Sequence, residues 1–183
     1  MFGMIHRSAR DMILEQFGAQ AWDQTLVAAD LDDAILVSVL AYPDDVTFRL
    51  IGAAAATAGL TVEETLHAFG RHWIRAAGQG PYASVLKILG ASLLESLNNL
   101  DQMHASIQIA MPGAQLPQFS VLSEDGQTIR LAYYSKREGL ENFVCGLLDG
   151  MLEKFATPGT VEFNGQEGAA RIFTIRLAEP GAA

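Results

Sequence analysis

The sequence predicts an α+β fold, in which a helical N-terminal subdomain precedes a C-terminal four-stranded antiparallel sheet with one crossing helix. The first observation is that apolar side chains recur every three or four positions from the N-terminus to about residue 110. The second is a change of period from about residue 118, where short strand-like stretches flank turn signals. The third is a nearly unbroken helical pattern over residues 140–155, between two predicted hairpins.

The predicted helices of the N-terminal part have local start and stop signals. Asp44 and Asp45 follow Pro43 and can start a helix that ends at Gly59. Thr61-Val62-Glu63-Glu64 is a capping box that starts the next helix, and Gly78-Gln79-Gly80-Pro81 is expected to end it. A long helix is expected over about 91–110, with an apolar side that comprises Leu93, Leu97, Leu100, His104 and Ile107.

The C-terminal part contains two hairpin signals on either side of the crossing helix. Glu124-Asp125-Gly126 is expected to form the turn of the first hairpin, and Asn164-Gly165 that of the second. Within the crossing helix, Gly146 and Gly150 lower helix propensity but permit close approach of a flat group.

Composition excludes several classes of protein. The 183 residues fit one domain spanning 1–183, half of them are hydrophobic, and the net charge of −9 argues against nucleic acid or an anionic membrane as the main partner. Cys145 is the only cysteine, so neither an internal disulfide nor a thiolate zinc site can form. Residues 1–15 do not have the pattern of a signal peptide, and no apolar stretch is long enough to span a membrane. We expect a cytoplasmic domain.

The segment Tyr133-Tyr134-Ser135-Lys136-Arg137 is the first candidate site. On a strand, alternate residues share a face, so Tyr133, Ser135 and Arg137 would present a phenol, a hydroxyl and a guanidinium in a row. This row suits a ligand with carboxylate groups. From spacing alone, the same alternation is also typical of the solvent face of an ordinary strand.

The second candidate is His104, which falls on the apolar side of its predicted helix. A neutral imidazole in an apolar wall can ligate haem iron, although a lone histidine there is more often a hydrogen-bonded core residue. His67 and His72 are five residues apart and do not share a helix face, and His6 is expected to be exposed beside Arg7.

Several segments together carry a resemblance to a known family. They are Met1-Phe2-Gly3-Met4-Ile5-His6, Phe69-Gly70-Arg71, Leu97-Asn98-Asn99-Leu100-Asp101-Gln102-Met103-His104, Leu116-Pro117-Gln118-Phe119 and Tyr133-Tyr134-Ser135-Lys136-Arg137-Glu138-Gly139-Leu140. With them the chain resembles the haem-nitric oxide/oxygen binding (H-NOX) family, the sensor domain of soluble guanylate cyclase and its bacterial stand-alone relatives.

The resemblance implies a cofactor and its ligands. The cofactor would be haem b (iron protoporphyrin IX), with His104 as the proximal iron ligand and Tyr133, Ser135 and Arg137 as the clamp for its propionates. Pro117 would press on the porphyrin, although locally it could equally be a turn proline.

The resemblance also implies the distal wall, which consists of Ile5, Trp73, Phe143 and Leu147. Phe143 stands where oxygen-binding members keep a hydrogen-bonding tyrosine; a gap placed one residue away would put Asn142 there instead. Since bound dioxygen needs a hydrogen-bond donor, we expect nitric oxide and carbon monoxide as ligands, with dioxygen excluded. Cys145, on the same helix, fits a buried small hydrophobe.

The expected function is a haem gas sensor that is not an enzyme. Release of the proximal histidine would signal to a separate partner, by analogy a histidine kinase or a cyclic-di-GMP enzyme. The partner would contact the His104 helix, where Asp101 and Gln102 are expected to be exposed. Two alternatives remain open: a peroxidase-like haem enzyme, which needs a distal acid–base pair, and a haem-free module that binds another apolar carboxylate.

Overall fold

A computed structural model describes residues 1–79 and 89–178. Its N-terminal part contains α1 (Gly3–Phe17), α2 (Ala19–Ala29), a short 3-10 helix (Asp33–Leu36), α3 (Asp44–Ala58), α4 (Val62–Gln79) and α5 (Leu93–Ala110). Its C-terminal part contains β1 (Gln118–Glu124), β2 (Thr128–Tyr134), α6 (Glu141–Lys154), β3 (Gly159–Glu167) and β4 (Ala170–Leu177). The predicted α+β fold is confirmed.

The predicted helix boundaries agree with the capping geometry. The Thr61 hydroxyl accepts the Glu64 backbone N–H at 3.1 Å, and Glu64 accepts the Thr61 backbone N–H at 2.8 Å, so both contacts of the capping box are made. Helix α3 ends at Gly59, whose φ of 70° is the left-handed conformation that glycine adopts without strain. The expected end of α4 falls partly on Gly80 and Pro81, which lie outside the described residues.

The four strands are antiparallel in the order β1-β2-β4-β3, and the first hairpin turns where predicted. The second does not: β3 continues through Asn164-Gly165, which forms a bulge, and turns after Glu167, which pairs with Ala170. The Asn-Gly turn prediction is therefore wrong. The Thr174 hydroxyl donates to Asn164 Oδ1 at 2.5 Å, which fixes the bulge against the neighbouring strand.

Helix α6 crosses the sheet and packs on α4, and this contact joins the two parts of the fold. One core cluster lies between the sheet, α5 and α6, and a second lies among α1, α3 and α4. A Cβ at Gly146 would stand 2.0 Å from the backbone oxygen of His67, and a Cβ at Gly70 would stand 2.3 Å from that of Phe143. The close approach expected at Gly146 therefore belongs to the backbone of α4, not to a flat group.

Among the residues that the structure describes, no helix is both long and apolar enough to cross a membrane.

Candidate functional site

His104 lies on α5, where its imidazole is half-buried. Its Nδ1 donates to the backbone carbonyl of Pro117 at 2.9 Å, which leaves Nε2 as the nitrogen with a free lone pair. Burial lowers the pKa of His104, against the opposing effects of the Pro117 hydrogen bond and the Asp101 charge. The neutral imidazole that metal ligation requires is therefore the favoured form near pH 7.

Asp101 lies one helical turn before His104 and makes a second contact to the same segment. Its Oδ1 accepts the backbone N–H of Phe119 at 2.8 Å. Asp101 and Gln102 are both exposed, as expected, but Asp101 is held by the start of β1. Since His104 and Asp101 both bind the segment 117–119, this turn of α5 and the start of β1 are joined by two hydrogen bonds.

Aromatic rings connect His104 to the clamp candidates. The His104 and Phe119 ring centroids are 5.9 Å apart, and those of Phe119 and Tyr133 are 5.1 Å apart. Burial raises the pKa of the Tyr133 phenol, opposed by Ser135 and by the positive charges of Arg171 and Arg137. The phenol is therefore a neutral hydroxyl group that can donate a hydrogen bond.

The clamp candidates do not all lie on a strand, so that part of the prediction is wrong. Strand β2 ends at Tyr134, and Ser135 and Arg137 lie in the connection to α6. The reason is a local turn, in which the Ser135 hydroxyl accepts the Arg137 backbone N–H at 3.0 Å. The alternation nevertheless continues beyond the strand, because Tyr134 and Lys136 are exposed whereas Tyr133, Ser135 and Arg137 are wholly or partly buried.

Arg137 has an acidic partner that the sequence patterns did not indicate. Its Nε donates to Asp44 at 2.7 Å, and its Nη1 donates to the Gln115 carbonyl at 2.6 Å. Burial tends to raise the pKa of Asp44, but hydrogen bonds from the amine of Met1 and from Arg137 outweigh it and lower that pKa. Asp44 starts α3, so this ion pair joins the helical part to the clamp. No sequence signal connects two residues so far apart.

The four distal candidates come from three helices. Ile5, Trp73 and Phe143 belong to one apolar cluster, and Leu147 lies one turn after Phe143 on α6. Phe69 lies near two of them: its ring centroid is 6.5 Å from that of Trp73 and 5.2 Å from that of Phe143. All four candidates are half-buried, so each keeps apolar surface that a ligand can contact. Asn142, the alternative to Phe143, is exposed.

The other histidines have structural partners. His6 is 0% exposed, and its ring bonds the Ile35 carbonyl at 3.0 Å and the Thr47 hydroxyl at 2.8 Å. The expectation that His6 is exposed is therefore wrong, because contacts with distant residues bury it. His67 and His72 face different elements, as predicted: His67 pairs with Asp149 of α6 at 2.7 Å, and His72 lies 3.5 Å from Glu15 of α1.

Cys145 is half-buried on α6, in agreement with its expected role as a small hydrophobe. Burial and the charge of Asp149 raise the pKa of its thiol to about 11. The thiolate is therefore scarce near pH 7, and the thiol is a poor nucleophile.

These groups fit haem. The set offers one neutral imidazole nitrogen for iron, a guanidinium and two hydroxyls for carboxylates, and an apolar wall. Comparison with known proteins gives the family: the haem-NO-binding family matches residues 2–163. The chain belongs to this family.

The H-NOX fold is shared with solved structures. A mutant H-NOX protein from S. oneidensis in the Fe(II) ligation state superposes with a TM-score of 0.87 at 20% identity, over 100% of this chain and 98% of that one. The Fe(II) unliganded H-NOX protein from K. algicida gives a TM-score of 0.84 at 20% identity, with both chains covered completely.

Longer relatives contain a similar region. Soluble guanylate cyclases gcy-37 and gcy-35 of Caenorhabditis elegans are 30% and 28% identical over 151 residues, which is 81% of this chain. The match covers 21% and 22% of those proteins, so this chain spans about a fifth of their length.

The pKa values of three histidines predict how the stability of the haem-free H-NOX domain depends on pH. Burial is the main cause that lowers the pKa values of His6, His72 and His104 below 6.5. Below that value the unfolded chain binds more protons than the folded one, so the free energy of unfolding falls as the pH drops. Each histidine contributes at most about 1.4 kcal/mol per pH unit.

Urea unfolding at several pH values between about 7 and 5.5 checks this prediction. His72→Gln is expected to reduce the slope, since it removes one of the three groups without removing a hydrogen bond from Nε2, which has no partner among the residues that the structure describes. Stability that is constant or increases over this interval would contradict the assignment.

Proposed function

We propose that this H-NOX domain is a gas sensor with haem b, in which Nε2 of His104 is the proximal iron ligand. The observation that carries the proposal is the bond from His104 Nδ1 to the Pro117 carbonyl. It fixes the tautomer and the ring orientation with Nε2 available, which is the usual arrangement of a metal-bound histidine. The ferrous iron supplies the centre at which nitric oxide and carbon monoxide bind.

The propionates are proposed to bind Tyr133, Ser135 and Arg137. Arg137 contributes most, because a charge-assisted pair with a guanidinium is the strongest of the three contacts. Its present partner Asp44 is 35% exposed at the side chain, so Arg137 can turn toward a ligand carboxylate while Asp44 keeps the Met1 amine and water as partners. Pro117 is proposed to contact the porphyrin, since its carbonyl is bonded to the ligand ring of His104.

The distal wall is proposed to select the gas. Ile5, Phe143 and Leu147 have no side-chain hydrogen-bond donor, and Trp73 has one indole N–H. A wall of this kind gives little stabilisation to the negative charge that dioxygen acquires, whereas nitric oxide needs little such help.

Signalling is proposed to begin with His104, which would hold the haem iron and would be released from it when nitric oxide binds. The freed turn of α5 is bonded to residues 117–119 through Asp101 and His104, so its movement is passed to the start of β1. The available free energy is limited to the preference of nitric oxide for the released state. Because Asp101 holds Phe119, Gln102 is the better position at which to probe a partner surface without disturbing the strand.

We further propose that the domain is cytoplasmic and not catalytic itself, and that its output passes to a separate partner such as a histidine kinase or a cyclic-di-GMP enzyme. The region that matches this chain covers only about a fifth of the cyclase relatives, so most of their length lies outside it.

Absorbance spectra of the purified ferrous protein test the proposal. We expect a Soret band that shifts with carbon monoxide and with nitric oxide, and no stable complex with dioxygen. A protein without a Soret band would rule out the haem proposal, and a long-lived oxygen complex would rule out the proposed distal wall.

Phe143→Tyr is expected to permit at least partial oxygen binding. The new hydroxyl extends from the half-buried ring position and can donate a hydrogen bond to bound dioxygen, provided that it comes within about 3 Å. Phe69→Tyr is the matched control, because its ring packs on Phe143 but is 2% exposed in the interior of the cluster. Equal oxygen binding in both variants would contradict the assignment of Phe143 to the distal wall.

A further inference from the structure

Arg171 is a charged residue on the core-facing side of the sheet. Its neighbours on the same face of β4 are Phe173 and Ile175, which are both fully buried in the core. Arg171 itself is 9% exposed. Strand pairing sets it directly opposite Tyr133 on β2, and cross-strand partners have their side chains on the same face. The guanidinium therefore lies beside the first residue of the clamp.

The contacts of Arg171 join three elements at one point. Its Nε donates to Glu141 Oε1, the first residue of α6, at 2.5 Å. Its Nη1 donates to the backbone carbonyl of Ser135 at 3.4 Å. The charges of Arg171 and Glu141 both act on the Tyr133 phenol, so all of these groups lie around the clamp.

The backbone at Ser135, which Arg171 contacts, lies outside strand β2. Because β2 ends at Tyr134, the backbone at Ser135 and Arg137 is positioned by contacts of individual side chains and not by the hydrogen bonds of the sheet. Breaking a largely buried ion pair leaves a charge without its partner and is costly. The pair between Arg171 and Glu141 can therefore keep the clamp in one geometry.

We propose that Arg171 and Glu141 are a positioning pair for the ligand clamp. Arg171 fixes the Ser135 carbonyl, and through it the directions of the Ser135 hydroxyl and of Arg137. The pair prepares the site for a ligand carboxylate, which lowers the conformational entropy lost on binding. This inference rests on the proposed binding of haem.

The test compares Arg171→Met with Arg176→Met. Arg176 lies on the same strand, but its ion pair with Glu162 is more than half exposed, so it is a matched control. The measurement is the rate at which haem leaves each ferric holoprotein for an excess of apomyoglobin. We expect release about tenfold faster in Arg171→Met and a rate within about twofold of the unmodified protein in Arg176→Met.

A double-mutant comparison distinguishes positioning of the clamp by Arg171 from a general effect on the stability of the protein. In an Arg137→Ala background, Arg171→Met is expected to add much less than tenfold, because Arg137, which makes the strongest of the contacts that it positions, is already gone. If Arg171→Met does not fold, Arg171→Lys serves in its place, since it keeps the charge and loses the planar fork of donors.

Two results would overturn the inference. One is equal release rates in Arg171→Met and Arg176→Met, and the other is an undiminished effect of Arg171→Met in the Arg137→Ala background. An unmodified protein that binds no haem would instead overturn the proposed function, and this inference with it.

Discussion

His104→Gly is expected to lose its own bond to the iron and to retain haem only weakly. The substitution removes the imidazole but leaves the clamp and the distal wall, so the space of the missing ring can accept free imidazole. We expect that added imidazole restores the ferrous spectrum, whereas the variant alone gives a much smaller Soret absorbance per protein.

His67→Gly is the matched control for His104→Gly. Both positions lie inside helices, so both variants have a similar backbone cost of about 1 kcal/mol relative to alanine. His67 bonds Asp149 on α6, away from α5, and its removal is expected to leave the ferrous spectrum unchanged. A His104→Gly protein with the unmodified spectrum and no imidazole present would show that another residue ligates the iron.

The imidazole-restored variant also tests signalling. Free imidazole is not attached to α5, so its release by nitric oxide should not move that helix. Hydrogen exchange of the Phe119 amide reports the movement, because this amide donates to Asp101. We expect nitric oxide to increase its exchange in the unmodified protein only, and an equal increase in the restored variant would contradict histidine release as the signal.

Features that depend on a few neighbouring residues could be predicted from the sequence. The capping box at Thr61 and Glu64 and the left-handed Gly59 are examples, since each is determined within one helical turn. Hydrophobic periodicity and turn signals predicted the α+β fold, which the structure confirms, and the family resemblance added a set of site residues that remains a prediction. Capping signals show where helices begin and end. They give no reason to choose His104 over His72 as the iron ligand.

Features that depend on distant residues could not be predicted. The burial of His6 depends on Ile35 and Thr47, and the ion pair of Arg137 depends on Asp44, in another part of the chain. The second hairpin turn was misplaced for a similar reason, since pairing of β3 with β4 continues past the favoured Asn-Gly sequence. The sequence contained one signal for Arg171. It occupies the first of three alternate positions of a strand, and the other two, Phe173 and Ile175, are apolar.

Gly146→Ala is expected to give the largest loss of stability among single-methyl changes in α6. The new Cβ would stand 2.0 Å from the backbone oxygen of His67, a distance at which the helices must move apart. Side-chain rotation cannot relieve this contact, because the opposing atom belongs to the backbone of α4. Overpacking typically costs about 1–3 kcal/mol, and this contact belongs at the upper end of that range, which is a large part of the stability of an ordinary domain.

Gly52→Ala is the control for the general effect of replacing glycine with alanine inside a helix. Gly52 lies inside α3, and a Cβ there would meet nothing within 4 Å. That variant is expected to gain about 0.5–1 kcal/mol, because alanine is the better helix former. The same chemical change is therefore expected to shift the urea midpoint of unfolding in opposite directions in the two variants. Equal midpoints would show that α4 and α6 can separate at little cost. A large loss confined to Gly146→Ala would mean that moving apart α4 and α6, which carry Trp73 and Phe143, is costly.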